Sequence, residues 1–532
     1  MDAREELDAV VVGAGFAGMY MLHRLRGLGL RSRVIEAGSG VGGTWYWNRY
    51  PGARCDVESM EYSFGFDDDL QQEWRWSERY ASQPEILRYA EHVADRFDLR
   101  RDITFDTRVE AAHLDESSGR WTVRTDRGDE LSARFVVMAT GCLSSTNTPE
   151  FPGLDSFAGP VLHTGRWPHE GVDLAGRRVG VIGTGSSAIQ SIPIIAEVAA
   201  ELVVFQRTAN YSVPAHNAPL DPQVEAEIKA GYADLRAQNR SMPAGFGARS
   251  PRHDRSVFDV EADEVRRELE ARWARGGLGF LGGFNDLLLR TDANEIAADF
   301  VREKIHEIVH DPAVADLLSP TNVIGCKRLC VDTGYYETFN RDHVRLVDVG
   351  STPIEAITPR GVRVDGVEHE VDVLVLATGF DAMTGTLLRI DLRGVGGLTL
   401  RDAWADGPRT YLGLGVAGFP NLFTITGPGS PSVLTNMITS IEQHVEWITD
   451  CIAWLDAHGH RHIEADPAAV DAWVDHVNGI AGMTLLPTCN SWYLGANVPG
   501  KPRVFMPLLG FPTYAERCAA VAAHGYEGFV VS

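Results

Sequence analysis

The sequence predicts an α/β chain built from two doubly wound units, with a block of helices inserted in the second. Three observations carry that expectation. A β-run followed by a glycine-rich turn and a helix-period segment occurs twice, first from LDAVVV at 7–12 and again from Val179. Two further β-runs, one after each of these, end in the same Ala-Thr-Gly, at 139–141 and 377–379. Between about 216 and 320 the texture changes to charged, helical sequence such as VRRELEARW. At 532 residues the chain also exceeds what one core organises.

Composition narrows the partners. With 44% hydrophobic and 23% charged residues the chain is globular, not disordered. Its formal net charge of -24 argues against a nucleic-acid backbone or an anionic membrane as partner. The start, MDAREEL, is acidic where a secretory leader is basic. The long uncharged run at 410–441 is broken by Gly and Pro, so it reads as strand plus loop, not as a spanning helix. Seven scattered cysteines, with Cys326 and Cys330 the only close pair, read as a reduced, cytoplasmic protein without a metal site.

The first turn is Gly13-x-Gly15-Phe16-x-Gly18, followed by Met19, Leu22, Leu25 and Leu28 at helical spacing. A second strand over 32–35 then ends on Glu36. Glycines there let the backbone approach a pyrophosphate at the positive end of a helix, and Glu36 accepts from a ribose hydroxyl. The second turn is Gly183-Thr184-Gly185-Ser186-Ser187-Ala188, and its following strand ends on Gln206-Arg207-Thr208. A carboxylate at that end would repel a 2′-phosphate, whereas a guanidinium grips it and a hydroxyl assists. The first site therefore suits an unphosphorylated adenosine ribose and the second NADP(H). Two such Rossmann-like sites on one chain point to a flavoprotein, with FAD in the first. The chain has no CxxC for a disulfide reductase, which leaves molecular oxygen as electron acceptor.

One further segment belongs to neither turn. FAGPVLHTGRWP, at 157–168, carries Phe157, Gly159, His163, Trp167 and Pro168 among turn residues and reads as neither strand nor helix. Its Phe-x-Gly-x-x-x-His-x-x-x-Trp-Pro pattern resembles the fingerprint of type I Baeyer–Villiger monooxygenases. So do GGTW at 42–45, NRYPGARCD at 48–56, Lys327-Arg328, YYE at 335–337 and NSW at 490–492, in the family's order over essentially the whole chain. The sister N- and S-oxygenating monooxygenases end the fingerprint differently, so Trp167-Pro168 favours the Baeyer–Villiger branch.

That resemblance implies oxygen insertion beside a ketone carbonyl to give an ester or lactone, through NADPH-reduced FAD and a C4a-peroxyflavin. The runner-up is N- or S-oxygenation. It implies an FAD domain from 1–150 and 385–532, an NADP domain from 151–215 and 321–384, and a helical insertion at 216–320. Arg328 matches the family's catalytic arginine, a cation that stabilises an anionic adduct without protonating it. Asp56 matches the aspartate that holds it, with a helix N-cap as the plain alternative. Lys327 matches a 2′-phosphate contact, and Trp492 sits in what looks like the family's mobile loop. Gly43, Thr44, Trp45, Tyr62 and Met437 fall among the cofactor contacts. Leu143, Ser430, Leu434 and Phe505 fall at the substrate pocket. The expected partners are a small ketone and O2, with the chain a monomer or weak homo-oligomer. His163 and Trp167 are read as coupling the two nucleotide units, with packing alone as the alternative.

Overall fold

The computed structural model describes residues 5–250, 252–496, 498–500, 506 and 510–532. Its larger sheet is centred on the strand Glu5–Val12, whose Ala9, Val10 and Val11 are fully buried, as a parallel strand covered on both faces requires. Glu130–Met138 lies on one side of it and Ser32–Ile35 on the other, both parallel. Chain from the C-terminal part returns to this sheet, since Asp391–Arg393 and Leu422–Thr424 pair with Val109–Asp115 and Glu130–Met138. The smaller sheet is parallel throughout. Its order is Val344–Asp348, Glu201–Gln206, Arg178–Ile182, Val373–Leu376 and Val161–His163.

Both glycine turns seat against an Ala-Thr-Gly end in the same way. Gly13 has φ +101°, and a Cβ there would lie 2.8 Å from the Ala139 carbonyl oxygen. Gly183 has φ +110°, and a Cβ there would lie 2.5 Å from that of Ala377. Neither position admits a side chain, because the backbone is left-handed and already in contact. The helices Phe16–Gly27 and Ser186–Val198 follow directly.

The 216–320 block is helical, with Pro222–Ala230, Tyr232–Ser241, Ala262–Arg275, Thr291–Ile308 and Pro312–Leu318. It does not pack on the second unit alone. Leu269 and Phe300 share a core with Val179 and Ile189, but Ile228, Tyr232 and Leu235 join the core of the first sheet. Ile228 comes from the first of these helices and Tyr232 and Leu235 from the second, and the Tyr232 hydroxyl donates to the Met60 carbonyl at 3.0 Å.

Three expectations are revised. The segment 157–168 does contain a strand, Val161–His163, which closes the edge of the smaller sheet with His163 opposite Leu376. The uncharged run is strand and loop as far as Asn436, but the helix Met437–His458 begins inside it, capped by the Asn436 side chain on the Ile438 N–H. The cysteines are not all reduced, because Cys326 is bonded to Cys489 across 163 residues of chain. Sequence spacing gave no hint of that pair, since only the fold brings the two together. Among the described residues no helix is long and apolar enough to cross a membrane.

Candidate active site

In the first crevice Glu36 is 5% exposed and its carboxylate is already oriented. Oε2 accepts the Ala14 N–H at 2.6 Å and Oε1 the Gly38 N–H at 2.7 Å. Burial raises its pKa, and those N–H bonds work against the rise. Each oxygen keeps a lone pair for a further donor. A Cβ on Gly43 would come within 2.9 Å of the Gly15 Cα, so the two backbones meet with no side chain between them. Thr44 is exposed beside this contact, while the Trp45 indole donates to the Tyr62 hydroxyl at 3.1 Å and Tyr62 packs edge-on to Phe16. Gly18 packs tighter still, its position for a Cβ being 1.8 Å from the Gly13 oxygen. A bare backbone cradle beside a buried carboxylate fits the pyrophosphate and ribose of FAD.

The second crevice carries the opposite charge. Arg207 and Thr208 are exposed, and Lys327 is close enough that Arg207's charge, after burial, lowers its pKa. Neither cation has an ion pair among the described residues. Two like charges held together without a counter-ion fit the 2′-phosphate of NADP. The turn is fixed by the Thr184 hydroxyl, which donates to the Thr208 carbonyl at 2.8 Å. A Cβ at Gly185 would meet nothing within 4 Å, so this backbone faces an open cleft. The Ser186 hydroxyl lies 3.3 Å from the Cys330 sulfur and that of Ser187 lies 3.2 Å from the Thr164 hydroxyl. The fingerprint thus abuts the phosphate turn.

Between the crevices stands an ion pair. Arg328 donates from Nε to Asp56 Oδ2 at 2.6 Å and from Nη2 to Oδ1 at 2.8 Å. Nη1 donates to the Val433 carbonyl at 2.8 Å, and the Tyr493 hydroxyl takes a further bond. Burial opposes the charge, but the Asp56 carboxylate outweighs it and holds the guanidinium pKa well above its ordinary value. Four of the five N–H groups are thereby engaged among the described residues, which leaves one for an anion. Asp56 is on a bend, not at a helix start, so the N-cap alternative falls. Its segment is tied to the second unit, because the Tyr50 hydroxyl donates to Gln190 Oε1 at 2.8 Å and Gln190 Nε2 to the Arg54 carbonyl at 3.0 Å.

Beside the pair an apolar cluster gathers Leu143, Leu434, Met437 and Trp492 with Val433 and Tyr493. Ser430 is fully buried and its hydroxyl is spent on the Gly427 carbonyl at 2.7 Å. Phe505 lies outside the described residues. Tyr493, the Val433 carbonyl and Gln190 were not singled out in the sequence. Only its place next to Trp492 marked Tyr493, and a carbonyl leaves no trace in sequence.

His163 Nδ1 accepts the Gly165 N–H at 3.0 Å, so the proton sits on Nε2, which is 3.2 Å from the Asn147 carbonyl. Burial lowers its pKa, consistent with this neutral form. The Thr378 hydroxyl donates to the same carbonyl at 2.6 Å. One imidazole, 3.3 Å from the Thr378 hydroxyl, therefore sits where the stretch after the first Ala-Thr-Gly meets the second Ala-Thr-Gly. Trp167 is buried in the core of the second unit, in one cluster with Leu162, Leu174 and Tyr80. Phe157 packs at a smaller cluster, Gly159 backs onto the Asp372 carbonyl, and the Pro168 carbonyl closes a turn with Gly171.

Paired dinucleotide crevices of unlike charge meeting at a buried cation define a two-dinucleotide flavoprotein oxidoreductase. A family model described as pyridine nucleotide-disulphide oxidoreductase matches residues 10–256. A Baeyer-Villiger monooxygenase of Pseudooceanicola batsensis is 46% identical over 99% of this chain and 96% of its own. A phenazine N-monooxygenase of Lysobacter antibioticus is 41% identical over 99% of this chain and 97% of its own. Among solved structures, an oxidized steroid monooxygenase bound to NADP shares 56% identity, with a TM-score of 0.95 over 99% of both chains. A complex of OTEMO with FAD and NADP shares 41% identity, with a TM-score of 0.96 over the full length of both. The chain belongs to the Baeyer–Villiger monooxygenases, FAD- and NADPH-dependent enzymes of this fold.

Proposed function

We propose that this chain oxygenates a ketone to an ester or lactone at the Arg328–Asp56 pair. The observation that carries the reading is a permanently charged, four-times-bonded guanidinium with one N–H uncommitted among the described residues, beside an apolar cluster. When bound, NADPH supplies hydride and FAD supplies reducing power to activate O2. Arg328 binds and orients the carbonyl oxygen, and it stabilises negative charge there without releasing a proton. Asp56 fixes the guanidinium plane through both oxygens, and Tyr493 and the Val433 carbonyl complete its setting. Leu143, Leu434, Met437 and Trp492 give the apolar surface that excludes water from the adduct.

The same proposal assigns FAD to the crevice of Gly13, Gly15, Gly18, Glu36, Gly43 and Thr44, on the sheet of 1–150 and 385–532. NADP(H) goes to that of Thr184, Gly185, Arg207, Thr208 and Lys327, on 151–215 and 321–384. His163 couples the two. The chain works in the cytoplasm as a monomer or weak homo-oligomer, which light scattering on the purified enzyme checks.

Sequence likeness to an N-monooxygenase keeps amine oxygenation as a second reading. A carbonyl-directed cation separates the two. Arg328→Ala is expected to keep NADPH-driven flavin reduction and to lose ester formation by about 10³-fold or more. Ester formation at the unaltered rate would overturn the assignment.

A further inference from the structure

A cleft reaches the Asp56 side of the Arg328–Asp56 pair, with about 100 Å³ of space inside it. Asp56, Glu58 and Arg79, each less than a quarter exposed, form its inner part. Arg249, Arg252 and Arg275, all exposed, stand at its mouth.

The inner charges cancel. Asp56 is bound by Arg328, and Arg79 gives Nε and Nη2 to Glu58 Oε1 at 3.0 and 2.7 Å. The remaining acid, Glu61, is buried and accepts the Gly247 N–H at 3.2 Å. Burial, then the charge of Glu58, pushes its pKa up to about 7.

At the mouth the balance is positive. Among the described residues Arg249 pairs with Glu58 alone, at 3.9 Å, and Arg275 is turned to the Arg249 carbonyl. Arg252 has no ion pair among the described residues. Burial, then the charge of Arg272, lowers its pKa, and Arg272's own partner is Glu268 at 2.6 Å. The fold brings these two arginines together at a glycine. A Cβ on Gly282 would lie 3.1 Å from Arg272 Nη1 and 3.2 Å from Arg252 Cγ. In a chain of net charge -24, three arginines at one rim with a single acidic partner among the described residues run against the overall balance.

We propose that this rim is an anion subsite for the substrate: Arg252, with Arg249, grips a carboxylate that the ketone carries away from its carbonyl, while the carbonyl lies at Arg328. The guanidinium fork suits a carboxylate, and Phe246 and Leu278 add apolar surface to the same cleft for the carbon chain. The inference rests on the ketone reading above and adds a substrate class to it, the keto acids.

The test compares a cyclohexanone bearing a carboxyethyl side chain with the methyl ester of the same compound, on FAD-loaded enzyme. The quantity read is the ratio of their kcat/KM values. The ratio is expected to fall about tenfold in Arg252→Ala, through KM of the acid, and to fall further in Arg252→Glu. Rising ionic strength lowers the ratio in the unaltered enzyme and not in Arg252→Ala. Arg345→Ala, an exposed arginine on the smaller sheet, keeps the ratio. An unchanged ratio in both Arg252 variants would overturn the subsite. So would a rise in the KM for NADPH that parallels the loss, because the arginine would then serve the cofactor. If neither compound is oxygenated by the unaltered enzyme, the ketone reading itself fails, a result distinct from equal turnover of acid and ester.

Discussion

At Gly13 and at Gly183 the chain does the same thing, turning a left-handed backbone against an alanine carbonyl and opening a helix. The two units part at the strand that follows. Glu36 ends the first, buried and held by two backbone N–H groups before any ligand arrives. Arg207 ends the second, exposed, with Lys327 beside it and no counter-ion among the described residues. The first crevice is preorganised around a neutral sugar and asks its ligand only for hydrogen bonds. The second holds unspent positive charge, which a 2′-phosphate neutralises on arrival and releases on departure. A shared turn thus yields one site fit for a resident cofactor and another for a cofactor that comes and goes.

The strongest way to break this contrast is to invert the second site. Arg207→Glu is expected to cut the preference for NADPH over NADH by about 10²-fold, since a repulsion replaces a charge-assisted bond. Steady-state kinetics with both cofactors checks it, and an unchanged preference would remove Arg207 from the site. Next in size, Glu36→Gln should loosen FAD by about tenfold, because the amide loses acceptor strength and sets an N–H against the backbone donors of Ala14 and Gly38. Measuring FAD retained per chain after dialysis gives the answer. NADPH affinity should stay as it was, which sharpens the separation of the two crevices. The smallest effect is expected at His163. His163→Ala should slow NADPH-driven reduction by about three- to tenfold and raise hydrogen peroxide release, with FAD still bound. Unchanged reduction and coupling would leave the residue a packing role.

Much of this was legible in the sequence because the two turns are local. Glycine positions, the strand before and the helix after lie within about thirty residues, and each is dictated by backbone sterics. The partnership of Arg328 with Asp56 came instead from resemblance, and the structure supplies its geometry. What stayed hidden depends on chain folding back across long separations. Cys326 meets Cys489, Arg328 meets the Val433 carbonyl, and Tyr232 leaves its own block for the core of the first sheet. The stretch 157–168 misled because a three-residue edge strand between turns has too little periodicity to announce itself. His163 is read as coupling the two units, and its partners, the Gly165 N–H, the Asn147 carbonyl and the Thr378 hydroxyl, lie on the stretches that join them.

The most direct test of the central claim is product analysis of the unaltered enzyme with NADPH, a ketone series and isotopically labelled O2. Ester or lactone carrying one labelled oxygen, formed in step with NADPH consumption, is the predicted result. NADPH consumption that ends only in hydrogen peroxide, or in amine oxygenation with no ester from any ketone, would contradict it.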